Sequence, residues 1–109
     1  MINPERYSEL PPVPRTLRRE ARRFWRQLGG ELIRRGLLTE LSVIPLAPLC
    51  AMLAIYEGLA NDLRRNPPRF GDELLFHALD LRAELEEFLD QFGLDGKHWI
   101  AENLPALPD

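Results

Sequence analysis

The sequence PLAPLCAMLAIYEGLANDLRR, residues 45–65, decides the fold of this chain. Its apolar side chains recur every three or four residues, which places them on one side of an α-helix. The stretch ELLFHALDLRAELEEFLDQF, residues 73–92, repeats the pattern. The two apolar seams are Leu46, Leu49, Leu53, Tyr56, Ala60 and Leu63 in the first stretch, and Leu74, Ala78, Leu81, Leu85, Phe88 and Phe92 in the second. This spacing predicts two long helices in an antiparallel hairpin, whose seams form the core and continue into contacts between subunits.

Local signals delimit the first of these helices. Thr39 and Ser42 are both possible N-caps, because their hydroxyl groups can accept hydrogen bonds from free backbone N–H groups. Pro45 and Pro48 fit best in the first turn, where a missing N–H does least harm. We expect this helix to run to about Arg65.

The second long helix has equally clear boundaries. Residues 66–71, NPPRFG, break the chain between the two helices. Asp72 is a suitable N-cap, and we expect the helix to run to about Phe92, with Gly93 as its C-cap glycine. The short break predicts that the two helices are neighbours in space.

The chain ahead of the hairpin carries a helix with one cationic side, predicted from about Arg15 to Leu28. Gly29 and Gly30 should fray or kink it, and Gly36 should stop any continuation. At about 100° per residue, six arginines share an arc roughly 140° wide, opposite an apolar arc. We call them the arginine stripe: Arg15, Arg18, Arg19, Arg22, Arg23 and Arg26.

The arginine stripe is not neutralised within its own sequence, because Glu20 is the only acid in the run. Like charges four residues apart destabilise a helix by roughly 0.2–0.5 kcal/mol per pair. Such a stripe is typical of proteins that bind an anionic partner. We therefore assign the stripe to the phosphate backbone of a nucleic acid, with Arg34 and Arg35 as second-line candidates. The alternatives are ion pairing to acidic helices within or between subunits, a solvated face, and an anionic membrane.

Charge is segregated along the 109 residues. The net charge is −3, yet residues 1–69 carry twelve arginines against seven acids, while residues 70–109 carry two basic residues against ten acids. Nucleic-acid binding depends on the local face and not on the average, so the acidic total does not exclude it. Thirteen of the fourteen basic residues are arginine, which favours bidentate contacts to phosphate.

Other features indicate a cytoplasmic protein without a membrane partner. No apolar run approaches the roughly 20 residues of a membrane span. The N-terminus does not have the pattern of a signal peptide. Cys50 is the single cysteine, so it cannot form a disulfide within the chain.

The residues that carry chemistry are few. His77 lies at helical spacing from Glu73 and Asp80, which is more typical of a surface histidine among acids than of a metal site. Cys50 lies beside an apolar seam and is expected to be a small buried side chain. A cluster of acids has the spacing of a solvated helix face: Glu84, Glu86, Glu87 and Asp90. The sequence contains no glycine-rich phosphate loop, catalytic triad or metal motif, so we expect a non-enzymatic protein with no cofactor and no metal.

Several short runs, in order and spacing, resemble one known family over roughly residues 14–98. They are Pro14 and Leu17, then ARRFWRQL (21–28), Glu31-Leu32, Gly36-Leu37-Leu38-Thr39, then Leu46, Leu49 and Cys50, and finally Phe92-Gly93-Leu94. Together they resemble the small-subunit family of bacteriophage terminases. The chain departs from that pattern at Ser42, where the family prefers Asp, at Pro45 and Pro48, and at Asp95-Gly96, which replaces Thr-Pro.

The resemblance implies a function. Such small subunits bind viral DNA, hand it to the large ATPase and nuclease subunit for genome packaging, and assemble into homo-oligomeric rings in the cytoplasm of the bacterial host. Two alternatives from the residues stay open: a non-enzymatic protein-binding adaptor, and a small helix-turn-helix DNA-binding regulator.

The sequence predicts an all-α fold, with a basic N-terminal helix packed on a long antiparallel helical hairpin and flexible Pro-rich ends. Residues 1–14 form a flexible proline-rich arm, residues 15–94 the helical core domain, and residues 95–109 an irregular C-terminal tail. In that tail Trp99 and Ile100 are apolar, and we expect them to dock on the body of the domain or on another protein.

Overall fold

The computed structural model describes residues 5–67 and 72–108, and their regular structure is helical. The helices are α1 (Arg19–Arg34), α2 (Val43–Arg65), α3 (Glu73–Gln91) and α4 (Gly96–Asn103). The prediction of an all-α protein is confirmed. The chain divides into two compact units, Met1–Ala54 and Ile55–Asp109, which we call the N-terminal and C-terminal units. The division falls inside α2, and the boundaries expected after residues 14 and 94 stay a prediction. The packing of the basic helix on a hairpin stays a prediction.

Helix α1 begins later than predicted. The N–H of Leu17 donates to the carbonyl of Pro14 at 3.2 Å, which closes a turn before the helix. Arg18 is the N-cap residue, with an extended backbone (φ −71°, ψ 163°). The expected start at Arg15 is therefore wrong, because the chain leaves the proline-rich segment through a turn. Arg15 and Arg18 precede the helix.

Helix α1 runs through Gly29 and Gly30 to Arg34, so the continuation that Gly36 was expected to stop is present. Gly29 is buried, and a Cβ atom there would lie 2.5 Å from Cδ1 of Leu10. Because Gly29 has no side chain, the Leu10 side chain can pack directly against α1 there. Gly36 stops the helix as predicted, with φ +67°. The N–H of Leu37 then donates to the carbonyl of Leu32 at 2.8 Å, as in a Schellman motif.

The described part of the predicted N-terminal arm is bonded to the rest of its unit. Tyr7 N–H donates to the Leu38 carbonyl at 2.9 Å, and the indole N–H of Trp25 donates to the Pro11 carbonyl at 3.0 Å. Arg6 forms an isolated antiparallel bridge with Thr39. Backbone and indole hydrogen bonds therefore tie residues 5–14 to α1 and to the connector after it, and the flexibility of the proline-rich arm stays a prediction.

Both predicted cap residues take part in the start of α2. The N–H of Ser42 donates to Oγ1 of Thr39 at 3.1 Å, and the N–H of Thr39 donates to Oγ of Ser42 at 2.8 Å. This reciprocal pair resembles a capping box. Pro45 lies in the first turn as predicted, but Pro48 lies inside the helix. Its missing N–H leaves the carbonyl of Ile44 without an intrahelical partner.

Helix α2 is more apolar than the sequence analysis allowed. Its most apolar 18-residue window has a mean hydropathy of 1.8, enough by length and composition to cross a membrane. About a third of that window is buried, and a core helix of a soluble protein passes the same test. The statement that no run approaches a membrane span was therefore too strict. The absence of a membrane partner stays a prediction.

The boundaries of α3 agree with the prediction. Oδ1 of Asp72 accepts a hydrogen bond from the N–H of Leu74 at 2.8 Å and so caps the helix. Gly93 has φ +96°, and the N–H of Leu94 reaches the carbonyl of Leu89 at 3.3 Å. Helix α3 therefore ends in a second Schellman motif. The break predicted at residues 66–71 lies partly outside the described residues.

A fourth helix replaces part of the irregular tail. Oδ1 of Asp95 accepts from the N–H of His98 at 3.2 Å and caps α4. The N–H of Gly96 donates to Oδ1 of Asp90 on α3 at 2.7 Å, which ties the two helices together. Trp99 and Ile100 are buried. The prediction of an irregular tail is wrong for residues 96–103, because Asp95 caps a helix there and Asp90 of α3 holds its first residue.

Burial of the predicted seams follows the helical pattern with one exception. In α2 the seam residues Leu46, Leu49, Leu53, Tyr56, Ala60 and Leu63 are buried. In α3, Ala78, Leu85 and Phe92 are buried, and Leu81 and Phe88 are half-buried. Leu74 is 44% exposed, so it contributes little to the core of its unit. Within the C-terminal unit, Arg82 of α3 lies near the hydroxyl of Tyr56 on α2.

Candidate nucleic-acid interface

The arginine stripe is exposed along its whole length. Arg19, Arg22, Arg23 and Arg26 lie on α1, and at about 100° per residue they share an arc roughly 100° wide. Arg15 and Arg18 approach the same end of α1 from the preceding turn. Opposite them, α1 buries Ala21, Phe24, Trp25, Leu28 and Leu32. The predicted division into an apolar side and a cationic side is therefore present in the N-terminal unit.

Two members of the stripe make local contacts that fix their direction. Nε of Arg22 donates to the carbonyl of Leu17 at 2.9 Å. The guanidinium carbon of Arg23 lies 4.8 Å from the ring centroid of Phe24, which is cation–π distance. Neither contact neutralises the charge, because a carbonyl and a ring are uncharged partners. The contact of Arg22 uses only its Nε and leaves its terminal N–H groups for a further acceptor.

The rest of the stripe has no neighbouring acid in its own unit. Within residues 5–54 no carboxylate lies within 4.0 Å of Arg15, Arg18, Arg19 or Arg26. Glu20, the acid in the first turn of α1, is exposed. Among residues 5–54, these four exposed arginines therefore lack a carboxylate counter-charge within 4.0 Å. This is the arrangement that attracts polyanions.

The N-terminus of α1 adds to this positive field. Arg18 is the N-cap, and no side chain caps the helix. The first backbone N–H groups therefore lack side-chain acceptors, and the helix dipole places a partial positive charge there. Helix N-termini of this kind bind anions through backbone N–H groups. Sequence reasoning missed this feature because it placed the start of α1 at Arg15.

The two second-line candidates lie at the other end of α1. Arg34 and Arg35 are exposed, and Nη2 of Arg35 lies 3.3 Å from Oε2 of Glu31. Arg35 is thus partly neutralised, and it is a weaker candidate than Arg34. Sequence reasoning did not single out Arg6, which is exposed and whose Nη1 lies 3.6 Å from the Cβ position at Gly36. A bridge seen only in the folded unit brings Arg6 there, so no local signal marks it.

A second group of candidate residues surrounds His77 on α3. Glu73, His77 and Asp80 line an open groove of about 480 Å³ together with Leu74 and Phe76. Among the described residues, no group of three or more His, Cys, Asp or Glu side chains is arranged to hold a metal ion.

Two buried groups have shifted pKa values. Burial raises the pKa of the Cys50 thiol to about 12, so the thiolate is scarce at neutral pH. Burial also raises the pKa of the Tyr56 hydroxyl, and the neighbouring Arg82 opposes that effect. Neither group has the lowered pKa of an activated nucleophile.

The acidic cluster of α3 is only partly a solvated face. Glu84 and Glu87 are exposed as expected. Glu86 lies 3.6 Å from Nε of Arg82, and Asp90 accepts the hydrogen bond from Gly96. Asp90 is therefore a structural acceptor for α4, which the sequence pattern of α3 alone does not reveal.

The two units differ in the sign of their net charge. The N-terminal unit contains nine arginines and five acids, a net charge of +4. The C-terminal unit contains five basic residues and twelve acids, a net charge of −7. A polyanion therefore meets a favourable field at the first unit and an unfavourable one at the second.

Comparison of the chain with protein-family models, curated proteins and solved structures finds no match. The resemblance to the terminase small subunits accordingly stays an expectation from the sequence.

Proposed function

We propose that this chain is a non-enzymatic DNA-binding subunit of the terminase small-subunit type. Its arginine stripe contacts the phosphates of double-stranded DNA, and the protein hands viral DNA to a large ATPase and nuclease subunit. The observation that carries the proposal is the exposure of all six stripe arginines, four of them without a carboxylate within 4.0 Å among residues 5–54. Only the family resemblance supports three parts of the proposal: a large subunit as partner, assembly into a ring, and location in the host cytoplasm.

Phosphate is the ligand that this surface fits best. Guanidinium groups bind phosphate oxygens in bidentate geometry, and several of them on one helix face track a charged backbone. From Arg19 to Arg34 the helix is about 22 Å long, at 1.5 Å per residue. Duplex DNA carries one charge per roughly 1.7 Å of axis, so a surface of this length spans many phosphates. Contacts of this type position the protein on the duplex and carry no sequence information themselves.

A second candidate function is a protein-binding adaptor. The observation that favours it is a row of exposed carboxylates on α3 at helical spacing, Glu73, Asp80, Glu84 and Glu87. An arginine stripe of one molecule and such a row on another molecule are complementary in charge. In that case the stripe serves protein contacts, and DNA is not its ligand.

The test is DNA retention as a function of salt for the wild type and two double variants. If the six stripe arginines contact phosphates, the logarithm of affinity falls with the logarithm of salt with a slope of about −5. This means a loss of roughly 1,000-fold between 50 and 200 mM salt. We expect R19E/R22E to abolish retention at 100 mM salt while its helical content and oligomeric mass stay those of the wild type.

The matched control is R64E/R65E, which changes the net charge by the same amount at two exposed arginines at the end of α2. It should retain DNA nearly as the wild type does. If both double variants lose DNA retention equally, the net charge of the protein accounts for the loss. This outcome would refute the assignment of DNA binding to the stripe. A wild type that is not retained at low salt, or whose retention has a flat salt slope, would favour the adaptor.

A further inference from the structure

Helix α1 carries a row of residues spaced four apart on its cationic side. The row consists of Arg22, Arg26, Gly30 and Arg34, so a glycine interrupts a regular series of arginines. Successive members lie about 6 Å apart along the helix axis and about 40° apart around it. The three arginines are exposed, Gly30 is half-buried, and the whole row belongs to the N-terminal unit.

The packing of the N-terminal unit does not require glycine at position 30. A Cβ atom at the neighbouring Gly29 would lie 2.5 Å from Cδ1 of Leu10. At Gly30, by contrast, the only such atom found within 4 Å among the described residues is Nη1 of Arg34, at 3.4 Å. Gly30 also lacks the positive φ that favours glycine at Gly36. Since glycine is the least favourable residue after proline in a helix interior, folding gives no reason for its presence here.

The distance to Nη1 also shows where the guanidinium group of Arg34 lies. It stands over Gly30, one turn before the Cα atom of Arg34 itself. Side chains of a helix lean toward its N-terminus, so this direction is the usual one. The Arg34 guanidinium therefore carries positive charge to the position that lacks an arginine. A side chain at position 30 would compete with it for this space.

Arg34 lies on the face of the arginine stripe, whereas its neighbour Arg35 does not. Around the helix, Arg34 is about 20° from Arg23, and Arg35 is about 120° from Arg23. Arg35 also has a counter-charge, since its Nη2 lies 3.3 Å from Oε2 of Glu31. Within residues 5–54 no carboxylate lies within 4.0 Å of Arg34. The two adjacent arginines thus differ in both direction and charge balance.

We propose that Gly30 and Arg34 form a seat for one phosphate of the DNA backbone, in which Arg34 binds the phosphate and Gly30 is a positioning residue. The inference rests on the proposed function and adds a seventh contact to the six of the arginine stripe. Glycine lets an anion approach the helix backbone closely, and the guanidinium group donates two parallel hydrogen bonds to phosphate oxygens. Gly30 lies about 16 Å along the helix from Arg19, so its phosphate differs from those at the start of α1.

The experiment measures retention of duplex DNA as a function of salt for the full chain, R34Q and R35Q. Each phosphate contact contributes about −0.9 to the salt slope, so seven contacts give the wild type a slope of about −6. R34Q should change the slope to about −5 and lose roughly 8-fold in affinity at 100 mM salt. R35Q is the matched control, because it removes the same charge one residue away. It should keep the slope and the affinity of the wild type.

Gly30→Leu tests the positioning role without changing any charge. Leucine is a good helix former, so the helix should persist, while its side chain occupies the space beside Nη1 of Arg34. We expect the same roughly 8-fold loss as in R34Q. The double variant G30L/R34Q should bind like R34Q alone, because both changes remove one and the same contact.

Gly58→Leu is the matched control for the glycine replacement. Gly58 is exposed inside α2, and no described atom outside the helix backbone lies within 4 Å of its Cβ position. This variant should bind DNA like the wild type. Circular dichroism should show that all variants keep the helical content of the wild type.

Three results would overturn the inference. An unchanged salt slope in R34Q, even with a lowered Tm, would reduce Arg34 to a cation that stabilises the C-terminal end of α1. Normal binding by G30L, or losses that add in G30L/R34Q, would remove the positioning role of Gly30. A wild type that binds no duplex at low salt would overturn the proposed function together with the seat.

The same measurements separate the seat from the stripe. A wild type that binds DNA and loses retention in R19E/R22E, but not in R34Q or G30L, keeps the proposed function and overturns only the seat. Loss in R34Q and G30L without loss in R19E/R22E supports the seat and refutes the assignment to the stripe.

Discussion

Replacing Gly96 by alanine tests how α3 and α4 are joined. A Cβ atom at Gly96 would overlap the carbonyl oxygen of Glu86 and lie 2.7 Å from its carbonyl carbon. Ordinary contacts of carbon atoms are about 3.5–4.0 Å. The clashing atoms belong to the backbone of α3, so no side-chain rotation relieves the overlap. The first turn of α4 must therefore move away from α3 by about 1 Å.

That movement has two consequences that set the size of the effect. The first is overpacking, which typically destabilises a protein by about 1–3 kcal/mol. The second is loss of the 2.7 Å hydrogen bond from Gly96 N–H to the carboxylate of Asp90. A hydrogen bond to a charged group contributes about 1.5–3 kcal/mol. Because the two effects share one displacement, we expect a combined destabilisation of about 3 kcal/mol.

Thermal unfolding followed by circular dichroism measures this effect. For a chain of this size 1 kcal/mol corresponds to about 4 °C, so Gly96→Ala should lower the Tm by about 12 °C. The matched control is Gly30→Ala in the middle of α1, where the nearest atom to the new Cβ is Nη1 of Arg34 at 3.4 Å. It should raise stability by about 0.5–1 kcal/mol, because alanine is the better helix former. A Tm for Gly96→Ala within 2 °C of the wild type would refute the reasoning.

Two further predictions concern the N-terminal unit. Trp25→Phe removes the indole N–H that donates to Pro11, and it should lower the free energy of unfolding by about 1 kcal/mol in urea titrations. An unchanged urea midpoint would show that residues 5–14 are not held by this bond. Cys50, whose pKa is raised to about 12 by burial, should react with a thiol reagent at pH 8 only through unfolding. Its burial as a neutral thiol favours the folded state below pH 9, and this contribution is lost as the pH rises from 9 to 12. Equal labelling rates in buffer and in denaturant would contradict the burial of Cys50.

The sequence predicted the helices well where local chemistry defines them. Asp72 at the start of α3 and Gly93 at its end act through contacts within a few residues, so composition alone identifies them. The seam of α2 follows from spacing, since a regular helix must place those positions on one side. The exposure of the arginine stripe follows for the same reason from the apolar residues opposite it.

The errors lie where a distant segment decides the local structure. Two adjacent glycines predicted a kink in α1, yet the Leu10 side chain fits against Gly29 and the helix continues. Likewise, no local signal marked the hydrogen bond that the Trp25 indole donates to the carbonyl of Pro11. Local helix propensity predicts such segments poorly, because contacts with a distant segment can stabilise a structure that the local residues disfavour.

The sequence by itself determined that this protein is helical, where most of its helices lie, and that its arginines and carboxylates are segregated along the chain. These properties depend on the period of the pattern and on caps, which act within one or two turns. Only the tertiary structure decided that Asp90 supports α4, that Arg6 joins the end of α1, and that Ile44 and Ile55 remain exposed while the opposite side of the same helix is buried. These depend on which segments meet, and a one-dimensional pattern does not specify which of two apolar faces of a helix the chain itself will cover.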